Sequence, residues 1–134
     1  MPTYNSILFD PPAPTVRVVI RHPTSRKALS EINVLLDSGA DATLIPQDAV
    51  NKLGVDFISG KSYELRGFDG SPSFAQAAEL ELIFMNRVFK GLFLLVDQEW
   101  GILGRDVLNH ISLLLDGPNL TWAIQSSTTS SSRT

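Results

Sequence analysis

The clearest candidate for chemistry in this chain is an acid, Asp37, in the stretch VLLDSGADATLIP that runs from Val34 to Pro46. Apolar, strand-forming residues lead directly into this acid, and a hydroxyl residue and a glycine, Ser38 and Gly39, follow it. Gly39 and Ala40 are small, so the backbone can bend tightly here and approach a ligand closely. A carboxyl group in such a setting is partly removed from water, which raises the free-energy cost of ionising it.

One desolvated carboxyl group does little by itself, but two that face each other form a hydrolytic pair. At short separation they cannot both ionise comfortably, so they share a proton and titrate as a unit. The charged member can take a proton from water while the neutral member donates one to a carbonyl oxygen, which hydrolyses an amide without metal or cofactor. The chain supplies one acid in this setting, so the second must come from another copy. A two-fold symmetric homodimer brings each residue to its own image.

The composition excludes most other classes of function. The 134 residues suit one domain, and 43% hydrophobic residues indicate a globular body. The net charge of −3 and the lack of a Lys/Arg run argue against a nucleic-acid partner. The chain has no cysteine, and its histidines, His22 and His110, are isolated, so we expect no metal and no cofactor. The longest apolar run, Leu92–Val96, is too short to span a membrane, and the N-terminus lacks a secretion-signal pattern. We therefore expect a cytoplasmic protein with no membrane partner.

Hydrophobic periodicity predicts a mainly β chain with two short helices. One helix is predicted to begin at Pro46 and to end before Gly54, with Ala49, Val50 and Leu53 on its apolar face. The second is predicted over Arg105–Ile111. Alternating or apolar segments predict strands and hairpins over Thr15–Arg21, Leu29–Leu36, Lys61–Phe84, Asn86–Asp97, Trp100–Gly104, Ser112–Asp116 and Leu120–Ile124.

The chain divides into three predicted parts. Residues 1–14 form an N-terminal segment with a proline-rich linker, residues 15–124 form the folded domain, and residues 125–134 form a disordered Ser/Thr-rich tail. Within the domain, LLDSGA and GILGRD echo each other, because each takes an apolar strand to a glycine. This echo predicts two similarly built loops that meet at the centre of the fold.

LLDSGADATLIP, together with the later GILGRDVLNHI, resembles the retropepsin-like aspartic proteases, which are single-domain homodimers. The similarity extends from about Thr15 to Ile124. It implies an all-β, retropepsin-like acid protease fold: a closed β-sheet core with a flap hairpin and one or two short helices. It also implies an aspartic endopeptidase that cleaves extended polypeptide substrates.

The resemblance assigns roles to matching positions. Asp37 would be the catalytic aspartate, one per subunit. Ser38, in place of the more common threonine, would hydrogen-bond across the two-fold axis. Gly39 and Ala40 would line the substrate cleft.

The remaining implied roles concern the surroundings of Asp37. Asp41 would pair with Arg105, and Gly104 would be the packing glycine behind Asp37. The turn-rich hairpin tip would be the flap that closes over the peptide, and it comprises Gly67, Phe68, Asp69, Gly70 and Ser71. Because the N-terminus is set apart by prolines, we expect the dimer to depend mostly on the C-terminal strands.

Three alternatives remain open at this stage. Asp37 could simply cap a turn through its own backbone, as aspartate often does. The same fold could be a non-catalytic dimeric module that binds peptides. The protease could also be competent only within a larger precursor.

Overall fold

The computed structural model describes residues 2–57, 63–66 and 72–125, and within them it contains mostly strands. The predicted flap tip, Gly67–Ser71, and most of the predicted tail, residues 126–134, lie outside the described residues. In chain order the elements are β1 (Tyr4–Asn5), β2 (Ala13–Arg21), β3 (Ala28–Leu36), β4 (Leu44–Pro46), α1 (Gln47–Leu53), β5 (Tyr63–Arg66), β6 (Pro72–Ala75), β7 (Ala77–Phe84), β8 (Arg87–Val96), β9 (Gly101–Leu103), α2 (Arg105–Leu108), β10 (Leu113–Asp116) and β11 (Thr121–Ile124).

Six strands close into a barrel in the order β2-β3-β9-β4-β8-β7, because β7 also pairs with β2. Inward residues alternate along these strands, as in β2, where Val18 and Ile20 are buried. The core also includes Phe84 and Trp122, whose ring centroids are 6.0 Å apart. The all-β fold with a closed sheet and two short helices is confirmed.

The first helix begins one residue later than predicted, and the second is shorter than predicted. Helix α1 starts directly after Pro46 and ends at Leu53, and the following Gly54 adopts the left-handed conformation with φ of 80°. Its predicted apolar face, Ala49, Val50 and Leu53, is buried. Helix α2 covers only Arg105–Leu108, because the chain then tightens: the His110 N–H bonds three residues back to the Val107 carbonyl.

Two further hairpins flank the barrel. Strands β5 and β6 pair antiparallel from Tyr63↔Ala75 to Arg66↔Pro72, so they form the arms of the predicted flap hairpin. Strands β10 and β11 pair from Leu113↔Ile124 to Asp116↔Thr121. Among the described residues, no helix is long and apolar enough to cross a membrane.

The N-terminal segment lies against the body of the protein instead of being set apart by its prolines. Tyr4 and Asn5 pair with Pro14 and Ala13 at the start of β2. Proline fits an extended backbone and lacks only its N–H, so it is tolerated near the start of a strand. Consequently β2 begins two residues before the predicted domain boundary at residue 15.

Candidate active site

The loops that follow β3 and β9 lie side by side, as the sequence echo predicted. The two strands are parallel neighbours in which Leu36 pairs with Leu103. The Asp37 N–H donates to the Leu103 carbonyl oxygen at 3.0 Å, and the Arg105 N–H donates to the Ala40 carbonyl oxygen at 2.8 Å. Parallel strands end at the same edge of a sheet, so the loop of residues 37–43, here called the active-site loop, is held against the start of α2.

Asp37 is half-buried at the end of β3, and its carboxyl group is oriented by its own turn. The Gly39 N–H donates to Asp37 Oδ1 at 2.9 Å, and the Ala40 N–H donates to the Asp37 carbonyl oxygen at 3.1 Å. Asp37 Oδ2 has no hydrogen-bond partner among the described residues. Asp37 therefore does cap its own turn, as the first alternative from the sequence proposed. This contact uses one carboxyl oxygen and leaves the other available for chemistry.

Gly104 packs directly under the active-site loop. A methyl group at this position would lie 2.6 Å from the Ala42 carbonyl oxygen and 3.0 Å from the Ala40 carbonyl oxygen. Both are backbone atoms that cannot rotate away, so only glycine permits this approach. A side chain at Gly39 would crowd a side-chain atom instead of the backbone, because its methyl group would lie 3.1 Å from Asp37 Oδ1.

Thr43 and Asp106 form a partly buried link between the two loops, which the sequence analysis did not predict. The Thr43 hydroxyl donates to Asp106 Oδ1 at 2.6 Å, and the Thr43 N–H donates to Asp106 Oδ2 at 3.1 Å. The same hydroxyl accepts a hydrogen bond from the Gly104 N–H at 3.0 Å. Thr43 is fully buried. The sequence could have indicated this link, because Thr43 lies between apolar neighbours in DATLIP and a buried hydroxyl needs hydrogen-bond partners.

Arg105 secures the active-site loop by a contact other than the implied ion pair. Its Nη1 donates to the Ser38 carbonyl oxygen at 2.7 Å. In the part of the chain that the structure describes, no ion pair joins Arg105 to Asp41. The predicted tie between loop and helix is thus made to a backbone carbonyl, while Ser38 keeps its side chain exposed.

A cavity of about 590 Å³ lies beside the active-site loop. Leu44 and Ile102 contribute apolar wall, and Glu64 on β5 brings the base of the flap hairpin to its border. The predicted site residues Gly39, Ala40, Asp41 and Arg105 also line it. A second groove, of about 620 Å³, runs along β3 and Trp100 and contains none of the predicted site residues.

The barrel therefore carries the Asp-Ser-Gly loop, and the hairpin of β5 and β6 borders the cavity beside it. A family model described as retroviral aspartyl protease matches residues 10–116. This chain belongs to that family. The match begins near β2 and ends at the last residue of β10, so β11 lies beyond it.

Two solved structures show the same resemblance. EIAV protease complexed with the inhibitor HBY-793 is 28% identical, with a TM-score of 0.53, over 73% of this chain and 86% of that chain. A retropepsin-like aspartic protease from Rickettsia conorii is 17% identical, with a TM-score of 0.50, over 82% of this chain and 91% of that chain. The second likeness concerns the fold alone. No curated protein sequence matches this chain significantly.

Proposed function

We propose that this protein is an aspartic endopeptidase that acts as a homodimer, with one Asp37 from each subunit in the catalytic pair. The observation that carries the proposal is the state of the carboxyl groups at the two joined loops. Asp37 has one oxygen bonded to the Gly39 N–H and the other available. Asp106 instead accepts a hydrogen bond from Thr43 on each of its oxygens and links the two loops within the chain. A second copy of the chain supplies the missing partner.

In the proposed reaction the pair of Asp37 carboxyl groups shares one proton. The charged member accepts a proton from water as the water oxygen attacks the peptide carbonyl carbon, and the neutral member protonates the carbonyl oxygen. The tetrahedral diol then collapses: one diol hydroxyl gives its proton to the charged carboxylate, the neutral carboxyl group protonates the amine nitrogen, and the C–N bond breaks. The pair returns to its singly protonated state, so neither metal nor cofactor is consumed.

The surroundings of Asp37 suit an extended peptide. Gly39 and Ala40 present little side chain, so a substrate backbone can approach the loop closely. The cavity beside them offers Leu44 and Ile102 as apolar wall for one substrate side chain. An extended peptide can hydrogen-bond as an added strand, with alternate side chains in pockets. In this proposal the flap tip, Gly67–Ser71, covers the bound peptide.

The test is Asp37→Asn, compared with Asp56→Asn as the matched control on an exposed surface. Asparagine keeps the size of the side chain and removes its acid chemistry, so cleavage of an unfolded protein should fall at least about 100-fold. The control should cleave at the wild-type rate, and a statine inhibitor should block this cleavage. Sedimentation should show that both variants remain dimeric.

Two results would contradict the proposal in different ways. A folded, dimeric Asp37→Asn protein that still cleaves would remove Asp37 from the chemistry. Tight binding of peptides by the wild-type dimer without any products would instead favour the non-catalytic binding module.

A further inference from the structure

We infer that the second groove, which runs along β3, is a docking site for an extended, positively charged segment of another polypeptide. This groove, here called the β3 groove, has a volume of about 620 Å³, and neither Asp37 nor the rest of the active-site loop lines it. The inference therefore goes beyond the proposed function and does not depend on it. It is carried by an unpaired strand edge, an apolar floor and an acidic rim.

The β3 groove follows an edge of the strand and not one of its faces. The residues that line it include the consecutive stretch Leu29–Asn33, and consecutive side chains of a strand point to opposite faces. One edge of this stretch pairs with β2, and no described residue of β2 lines the groove. On the other edge, β9 pairs only with Val34–Leu36. Among the described residues, Leu29–Asn33 therefore has no neighbouring strand on the side of the groove.

An unpaired stretch of strand can accept an extended peptide as a new neighbour. The backbone N–H and C=O groups of the edge supply hydrogen bonds, and the adjoining pockets select among side chains. A strand rises about 3.3 Å per residue, so a peptide of roughly five residues matches the length of Leu29–Asn33. The backbone thus fixes the extended form of the occupant, and the surrounding side chains must define its chemistry.

The floor of the β3 groove is apolar and includes an aromatic ring. Ile32 and Ala49 are each 8% exposed, and Val96 and Trp100 are partly buried beside them. The Phe9 ring meets the Trp100 ring edge-on, with their centroids 5.5 Å apart, and so helps to hold it in place. An indole ring next to acids can contact both the aliphatic stem and the charged group of a lysine or arginine.

The rim of the groove determines the charge of the occupant. Four acids and one basic residue line it: Glu31, Asp48, Asp97, Glu99 and Lys52. Lys52 lies 3.4 Å from Asp48, but this pair is exposed and therefore weak. Asp97 and Glu99 are exposed and have no ion pair among the described residues. A positively charged segment is the electrostatic complement of this rim.

A strained residue places one of these acids beside the unpaired edge. Ser30 and Glu31 lie opposite the single residue Val19 of β2, which makes a β-bulge. Glu31 has a φ of 65°, in the left-handed region where glycine is favoured over other residues. A bulge of this kind re-aims a side chain, and strain of this kind is found at binding sites. The bulge therefore adds to the acidic rim at the point where the peptide would pair.

The test measures binding of the peptide acetyl-Lys-Leu-Lys-Leu-Lys-amide by calorimetry, with full-length Asp37→Asn protein so that nothing is cleaved. The double variant Asp97→Lys and Glu99→Lys should weaken binding at least about 10-fold. The matched control carries Asp56→Lys and Glu79→Lys, which change the net charge equally at exposed positions outside the groove, and it should bind as before. Equal weakening in both double variants, or equal binding of acetyl-Glu-Leu-Glu-Leu-Glu-amide, would overturn the inference.

Backbone methylation of the peptide tests the strand pairing. Alternate N–H groups of an extended peptide point to opposite sides, so one set would face β3 and the other would face solvent. Methylation of one set of alternate nitrogens should abolish binding, and methylation of the other set should leave the affinity nearly unchanged. If neither methylated peptide binds more weakly, the occupant does not pair with β3 and the inference fails.

Trp100 reports where the peptide binds. Titration with the lysine peptide should change the tryptophan fluorescence, and Trp100→Phe should remove most of that change because the other tryptophan, Trp122, is buried in the core. An undiminished signal in Trp100→Phe, or no binding at all, would overturn the docking site. Neither result would affect the role of Asp37, and loss of cleavage in Asp37→Asn would not affect the groove.

Discussion

Asp37 and Asp106 belong to the similar sequence segments LLDSGA and GILGRD. Their carboxyl groups nevertheless make different hydrogen bonds in the structure. Asp37 directly follows β3, and Asp106 is the second residue of α2, shortly after β9. Both accept a hydrogen bond from a backbone N–H. Asp106 directs both oxygens to Thr43, whereas Asp37 uses one oxygen for Gly39. Asp106 therefore links the two loops through Thr43, whereas Asp37 Oδ2 has no hydrogen-bond partner among the described residues. The comparison shows that similar sequence segments can place their acids in different hydrogen-bond surroundings.

The joint between the two loops and the hairpin of β10 and β11 also differ in how completely their polar groups are paired. The joint between the two loops is completed within one subunit by bonds from Thr43, Gly104 and Arg105. Among the described residues, β10 has β11 as its single neighbouring strand, and Leu114 and Leu115 on β10 are exposed. The joint between the two loops is therefore closed by the chain's own bonds.

The largest expected effect comes from Gly104→Ala, because this residue lies between the two loops that carry the two acids. The new methyl group would meet the Ala42 carbonyl oxygen at 2.6 Å, so the loops must separate. We expect a loss of roughly 3 kcal/mol in the free energy of unfolding, at the upper end for overpacking, and a loss of most cleavage activity. Urea unfolding and a peptidase assay measure the two effects.

Gly91→Ala is the control for this prediction. Gly91 lies in β8, and a methyl group there has no heavy atom within 4 Å. Its stability and activity should stay close to the wild type. Wild-type stability in Gly104→Ala would show that the loops are not packed as tightly as the structure indicates.

A smaller effect is expected from Thr43→Val, which tests the structural acid alone. Valine matches the shape of threonine but removes the hydroxyl, leaving Asp106 Oδ1 and the Gly104 N–H without that partner. The free energy of unfolding should fall by about 1–3 kcal/mol. Cleavage per folded molecule should fall less than in Asp37→Asn, since Asp37 keeps its bond to Gly39.

Thr43→Ser restores the hydroxyl and should recover most of the lost stability in the same unfolding experiment. If serine and valine destabilise equally, the missing packing would be responsible, and the hydrogen bonds to Asp106 would not be.

The parts of this molecule that the sequence predicted are those encoded by local patterns. Alternating residues such as Val16, Val18 and Ile20 defined strands, and Pro46 and Gly54 bounded α1. The meeting of the two loops was also predicted, because the apolar-strand-to-glycine pattern occurs twice.

The parts that escaped prediction depend on contacts between distant residues. Thr43 and Asp106 are 63 positions apart, and the sequence around Thr43 does not predict that Asp106 is its partner. The contact of Arg105 with the Ser38 carbonyl, in place of Asp41, depends on the exact course of the backbone after β3. Likewise, the prolines of the N-terminal segment suggested a separate linker, whereas pairing with Thr121 and β2 holds that segment in place.

The smallest expected effect concerns a third carboxylate, Glu81, which extends the comparison to an acid far from the site in sequence. Its side chain on β7 is 5% exposed, and Arg21 Nε lies 2.6 Å from Oε1. Arg26 Nη1 contacts both carboxylate oxygens, at 3.0 Å and 3.1 Å. The hydrogen bond from Arg21 is the main cause that lowers the pKa of Glu81 below its ordinary value of 4.5, against the opposing effect of burial.

The sign of the pH dependence follows from this lowered pKa. A carboxyl group that is more acidic in the folded state stabilises the fold above its unfolded pKa, and this stabilisation is lost as the pH falls through the folded value. Glu81→Gln should therefore be less stable than the wild type at pH 7, and the difference should shrink well below pH 4.5. Urea unfolding at pH 7 and pH 3 measures it, with the exposed Glu79→Gln on the same strand as control. If the difference in free energy of unfolding is equally large at both pH values, the charge of Glu81 is not its cause. The ion pairs with Arg21 and Arg26 would then not be what stabilises the fold at this position.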